Sequence, residues 1–386
     1  MAAQTGTALG AHIHSAQIVL PCPDLAASLA FYTERLGFRV DLIFPADSPT
    51  VAVVSGHGLV LRLQEAGTDA ASAGTLLHLR LLCDKAALPA GSERHLIAPD
   101  GMRIELADAG ATLELPEAVQ EFVLSRMEGA DAWSAGRAGM QYRDLIPGRH
   151  GGRFVASHIR IPGGGEVPDY VHFHNVRFQM IYCRSGWVRV VYEDQGPPFV
   201  LHAGDCVLQP PGIRHRVLES SPNLEVIEIG CPAVHETFAD HDLPLPTPSL
   251  LPERLFAGQR FVRHVAAVAE YHPWIAAGFA MRDTGIAAAT SGLAGVRVIE
   301  ATVRPDTAGI AAASPRVTHA GEFLFYFILN GELSLHSDAL GDHRLCPGDS
   351  CVIPAGADYA LQAGPGLEML EVTLPAELPR PFLAAR

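Results

Sequence analysis

At 386 residues and 48% hydrophobic content, the chain is too long for a single ordinary domain and carries core-forming material for two or three. Its 28 basic against 42 acidic residues give a formal charge of -14, which argues against nucleic acid or an anionic membrane surface as partner. Seven cysteines without a CxxC pair, no basic-then-apolar leader and no long apolar run together predict buried thiols in a cytoplasmic protein.

In chain order, residues 16–20 read as a strand. Asp24 then caps a helix whose Leu25, Leu29, Phe31, Tyr32 and Leu36 form one apolar face before Gly37 stops it. Short strands follow over 38–44, 51–54 and 59–63, giving the order βαβββ. A reduced second copy has a strand over 77–82, a connection over 84–90, and strands near 94–97 and 102–106. Asp24-Leu25, Ser28-Leu29-Ala30-Phe31-Tyr32, Leu36-Gly37-Phe38 and Pro99-Asp100-Gly101 before Arg103-Ile104-Glu105 resemble the vicinal oxygen chelate family of glyoxalases, extradiol dioxygenases and bleomycin-resistance proteins. The resemblance implies metal ligands on the first, fourth, fifth and eighth strands, at about Gln17, Leu61 or Arg62, His78 and Glu105. His78 and Glu105 suit that role and Gln17 is a weak neutral donor, so this second candidate site is incomplete. A metal-free pocket or docking domain over residues 1–112 is expected. His12, His14 and His57 lie nearby without a spacing that singles them out.

Residues 115–127 carry Leu, Val and Phe at helical spacing around Glu117, Glu121 and Arg126, and the glycine-rich run 129–139 reads as a linker, so 113–139 is expected to be helix plus linker. From 140 to 240 the chain alternates apolar and polar residues in short strands broken by Pro-Gly turns, which predicts an antiparallel barrel or jelly roll. Within it His172 and His174 alternate and so leave one face of a strand; Gln179 follows, and His215 ends a segment containing Gly204-Asp205 and Pro210-Pro211-Gly212. Three imidazoles and an amide oxygen converging in a barrel suit one divalent transition metal, Zn, Fe or Ni, with one or two coordination positions left for water or substrate. Tyr170, Arg160 and His158 are the candidate catalytic neighbours, Ile181 and Cys183 the inward apolar ones, and Asp205 is expected to bond turn amides. Written as H-x-H-x4-Q-x6-G and G-x5-P-x-G-x2-H, these segments closely resemble the two motifs of the cupin superfamily, with Gln179 in place of the usual Glu.

The remainder, 241–386, repeats the barrel without its ligands. Met281-Arg282-Asp283 echoes Met140 to Asp144, Gly331 matches Gly186, Gly348-Asp349 matches Gly204-Asp205, and Pro354-Ala355-Gly356 matches Pro210-Pro211-Gly212. On these anchors Val317, His319, Leu324 and Tyr359 replace His172, His174, Gln179 and His215, so a degenerate barrel filled with apolar residues is expected. Residues 253–271 read as helical.

The whole is therefore mainly β, an α+β module followed by two jelly-roll barrels. A neutral amide in place of a carboxylate leaves the metal more of its charge, which favours Lewis-acid chemistry on a carbonyl or enol: isomerisation, lyase or cyclisation reactions. Similar three-His, one-Gln cupins include pectin-degradation enzymes acting on unsaturated uronates and zinc-dependent polyketide cyclases. The alternatives are an iron-dependent ring-cleaving or diketone-type dioxygenase and a non-catalytic small-molecule binding protein. A small-molecule substrate and a homodimer formed through sheet edges are expected.

Overall fold

The computed structural model describes residues 12–35, 37–56, 58–65, 78–88, 91–97, 103–109, 113–127, 133–136, 139–302 and 312–382. His57, Leu36, Leu77, Met102, the Pro99-Asp100-Gly101 turn and most of the glycine-rich run lie outside them. The chain divides into two compact units, Met1–Glu114 with His235–Asp240, and Leu115–Val234 with His241–Arg386.

In the first unit Asp24 accepts a hydrogen bond from the Ala27 amide at 2.9 Å and starts the helix Leu25–Ala30, which widens into a π-turn over Phe31–Arg35. Gly37 then takes the left-handed conformation and the Phe38 amide donates back to the Tyr32 carbonyl, closing the helix as expected. The strand Ile13–Cys22 lies between Leu59–Glu65, which it parallels, and His78–Cys83, to which it is antiparallel; Arg103–Asp108 continues the sheet parallel to His78–Cys83. At the other side Arg39–Phe44 is extended by Thr237–Ala239, with Leu42 opposite Phe238. Placing 235–240 with the barrel thus needs correction: that segment completes the sheet of the first unit. Leu25, Phe38, Ile43, Val54, Leu61 and Leu63 form the core beneath the helix.

The second unit holds two barrels. One sheet of the first runs in the order Val262–His264, Cys206–Leu208, Phe178–Ser185, Leu224–Cys231, Val155–Ile161, Gln141–Asp144, Ser134–Ala135. The opposing strands are Phe199–His202, Trp187–Tyr192, His215–Ser220 and His172–His174. Between them Ile159, Val188, Val190, Leu201 and Val226 form the barrel interior. The outer face of the same sheet is also apolar: Phe178, Met180, Ile227 and Ile229 share a core with Phe323, Phe325, Phe327 and Val372 of the second barrel, and the Phe154 and Phe323 rings stack at 4.2 Å. A strand such as Phe178–Ser185 is therefore buried on both faces, odd residues toward the first barrel's interior and even residues toward its neighbour. Gly186 closes the hairpin at φ 75°, where an added Cβ would sit 2.3 Å from Ser221 Oγ.

The second barrel repeats backbone contacts of the first. Val317 bridges Tyr359 as His172 pairs with His215. The Gly356 amide donates to the His319 carbonyl as Gly212 does to His174, and Ile353 donates to Leu324 as Gln209 does to Gln179. Its interior is filled by Leu324, Ile328, Leu333, Leu335, Leu361 and Met369, as expected. One polar device was not expected: Glu371, fully buried, is held by Tyr326 Oη at 2.9 Å and by Arg380 from the C-terminal segment.

Two expected helices are replaced by extended chain. Residues 113–122 have no regular structure and Val123–Ser125 pairs with Ser350–Val352, while Arg126 and the Met127 amide both bind Asp349. The Phe122-Val123-Leu124 run fits helix and strand alike, and an unpaired edge in the second barrel decides it. Over 253–271 the turn at Ala257-Gly258, both left-handed, makes a tight hairpin of Leu255–Phe256 and Gln259–Arg260, and Val262–His264 joins the first barrel's sheet.

A buried charge cluster ties the barrels together. His158 Nε2 donates to Glu225 at 2.8 Å, Arg184 also binds Glu225, and Arg143, beside His158, donates to the Gly348 carbonyl at 2.6 Å. The hydrogen bond from His158, with Arg184, holds the Glu225 carboxyl at about 2 against its ordinary 4.5. A depressed carboxylate stabilises the fold fully above its ordinary value and loses that contribution as pH falls toward the folded one. Glu225→Gln should therefore cost stability at neutral pH, and its deficit against wild type should shrink as pH falls from 4.5 toward 2. Urea unfolding across that range checks this; a deficit independent of pH contradicts it.

Candidate metal centre

The irregular segment before Phe178 allows the short strand His172–His174 to pair with the start of His215–Ser220, so that His172 and His215 stand directly opposite each other. His174 leaves the same face as His172. The ring centroids of His172 and His215 are 4.3 Å apart, and each is 5.2 Å from that of His174. One nitrogen from each ring lies within 4.8 Å of the others, and all three residues are buried.

The backbone sets the tautomers. His172 Nδ1 donates to the Tyr170 carbonyl at 2.8 Å and His215 Nδ1 to the Ile213 carbonyl at 3.0 Å, which leaves Nε2 of each as the lone-pair donor. Asp169, also buried, lies 3.6 Å from His172 Nδ1 and accepts from the Val217 amide at 3.0 Å, bracing the two ligand strands against each other. The Tyr192 ring stacks on His215 with centroids 5.5 Å apart, and burial pushes its phenol well up, so it stays neutral.

Gln179 lines the same cavity. Its Nε2 donates to Glu228 Oε1 at 2.5 Å, while its Oε1 is buried and makes no hydrogen bond. A buried amide oxygen without a donor costs on the order of 1–3 kcal/mol, and a cation in the cavity removes that cost. The donor set, three neutral imidazoles and a neutral oxygen, fits a divalent transition metal. The carboxylate is set one side chain back, where it fixes the orientation of the amide. By register Glu228, opposite Ile181, corresponds to Glu371, opposite Tyr326; in the second barrel that carboxylate is met by two guanidinium groups, Arg380 and, at 3.6 Å, Arg297.

Other candidates fall elsewhere. On Val155–Ile161 it is Ile159 and Ile161 that line the cavity; His158 and Arg160 leave the opposite face, His158 to Glu225 and Arg143, Arg160 to Gln141 at 2.7 Å and over the Trp133 ring. Their assignment as catalytic neighbours is thus corrected by a one-residue parity. Tyr170 packs edge-on to His172 at 5.9 Å without lining the cavity. Ile181 lines it, and Cys183 is buried in the interior cluster. Asp205 accepts from the His202 and Ala266 amides, the structural task expected of it. In the first unit Gln17, Arg80 and Glu105 stand in one row across three strands, with Arg80 Nε 3.4 Å from Glu105, and His78 lies in the row of Val19 and Arg62. Burial, with Arg80 beside it, lowers the Arg62 pKa to about 10. Guanidinium groups thus stand among the second set of candidate ligands. Among the described residues, His172, His174 and His215 are the one group of three such donors that converge.

Residues 157–229 match the family model described as the cupin domain, and residues 14–97 match that of the Glyoxalase/Bleomycin resistance protein/Dioxygenase superfamily. A glyoxalase-type segment thus precedes a cupin segment, and a second barrel of like fold follows. Among solved structures it is similar to a mutant salicylate 1,2-dioxygenase from Pseudoaminobacter salicylatoxidans in complex with gentisate, at 13% identity over 70% of this chain and 88% of that one, TM-score 0.51. It is also similar to the oxalate decarboxylase of Lactobacillus farciminis in a formate complex, at 15% identity over 71% and 90%, TM-score 0.45. At these identities the likeness concerns the fold. A comparison with curated protein sequences finds no match. Among the described residues no helix is long and apolar enough to cross a membrane.

Proposed function

We propose that the first cupin barrel is a metal-dependent active site acting on a small carbonyl or enol compound, with His172, His174, His215 and Gln179 as the ligands of one divalent transition metal. The buried, hydrogen-bond-free Gln179 Oε1, aimed by Glu228, is the observation that carries this reading. When bound, the divalent ion supplies Lewis acidity at a substrate oxygen. The residues of the chain do the rest. His172 and His215 present Nε2 because their Nδ1 atoms are tied to carbonyls, Gln179 adds no negative charge, and the aliphatic walls exclude water, which strengthens electrostatics at the centre. This arrangement suits isomerase, lyase or cyclase chemistry. The test is the metal dependence of turnover over a panel of enolisable carbonyl compounds: Zn- or Ni-loaded protein should turn over a substrate without oxygen. Turnover with iron alone, accompanied by substrate-dependent oxygen uptake, replaces this reading with a dioxygenase.

A further inference from the structure

The cavity at the metal centre divides sharply by chemistry. Its polar lining lies together: Glu228 holds the Gln179 side chain, the Gln209 backbone amide donates to the Gln179 backbone carbonyl and so sets the two residues side by side, and Tyr192 stacks on His215 among the histidines. The opposite lining is aliphatic, with Ile159, Ile161, Val188, Val190, Leu201 and Val226 projecting from both sheets. Two further polar residues reach it. Tyr142 directs its hydroxyl to Met140 Sδ at 3.4 Å, and Arg216, between His215 and Val217 on the same strand, is part of the lining with its Nε buried and without a hydrogen bond. The cavity measures about 110 Å³. For scale, an apolar cavity of roughly 150 Å³ accommodates a benzene ring.

We infer that the compound this site takes is small, with an oxygen-bearing head and an apolar, unhydroxylated body, the class represented by short-chain 1,3-dicarbonyls, and not a sugar-derived acid. This rests on the metal reading above for the head and on the wall residues alone for the body. Each hydroxyl of a sugar acid facing Ile159, Ile161, Val188 or Val190 loses its water and finds no partner, which weakens binding roughly tenfold apiece. Each methylene placed there strengthens binding about fourfold. The same walls set a ceiling on size, so a body much larger than one small ring does not enter.

The experiment is a titration of the protein as purified with pentane-2,4-dione, hexane-2,4-dione, 1,3-diphenylpropane-1,3-dione and galacturonate, followed by calorimetry and by the ultraviolet band of the bound enolate. Hexanedione should bind about fourfold tighter than pentanedione, and galacturonate at least on the order of 100-fold weaker than either. The diphenyl compound should not bind. Galacturonate binding as tightly as pentanedione, or no dependence on alkyl length, overturns the substrate class. The two readings fail separately: protein that contains no metal yet keeps the alkyl-length dependence retains the apolar class and loses the Lewis-acid function.

Discussion

Gln179→Glu should leave close to one metal per chain and weaken the binding of pentane-2,4-dione enolate by roughly 10- to 100-fold. Gln179 Nε2 now donates to Glu228 across 2.5 Å. A glutamate there places two carboxylates in contact, and like charges so close cannot both ionise, so one proton is shared between them. The oxygen facing the histidines then carries negative charge, which holds the ion but cancels part of its attraction for an anionic enolate. Calorimetry on metal-loaded wild type and variant reads both quantities. Unchanged enolate affinity would show that the charge of this ligand is irrelevant and would remove the physical argument for Lewis-acid chemistry.

The three histidines were legible because their spacing and the turns between them sit in one short stretch of sequence, and a period of two puts His172 and His174 on one face whatever the rest of the chain does. Glu228 was missed because its meaning arises from a partner on another strand. The internal repeat carried a usable signal, since Glu228 and Glu371 occupy matching positions in the last strands of the two barrels. His158 and Arg160 show the converse hazard: on a strand buried on both faces, polar residues do not announce the active face, and Ile159 and Ile161 hold it. The second barrel's loss of ligands was readable position by position, but Arg380 was not, because it arrives from the C-terminal segment beyond the repeat. The two misread helices had mixed apolar spacing, and edge pairing by Ser350–Val352 and the left-handed Ala257-Gly258 turn decided them.

His174→Ala should abolish stoichiometric metal binding. Removing one of three buried imidazoles leaves two nitrogens and an amide oxygen; even loss of a residue that merely orients a ligand lowers metal affinity by about 10- to 100-fold, so loss of a ligand lowers it by at least on the order of 100-fold. His174 lines the cavity wall and its truncation leaves the apolar core clusters of the barrels intact, so the fold should persist in the variant, with its thermal midpoint lowered toward that of chelator-treated wild type. Elemental analysis of the two proteins, purified in parallel without added metal, reads the central claim directly. The expected result is close to one transition-metal ion per wild-type chain and close to none in His174→Ala; equal metal in both would place the ion elsewhere and contradict the site.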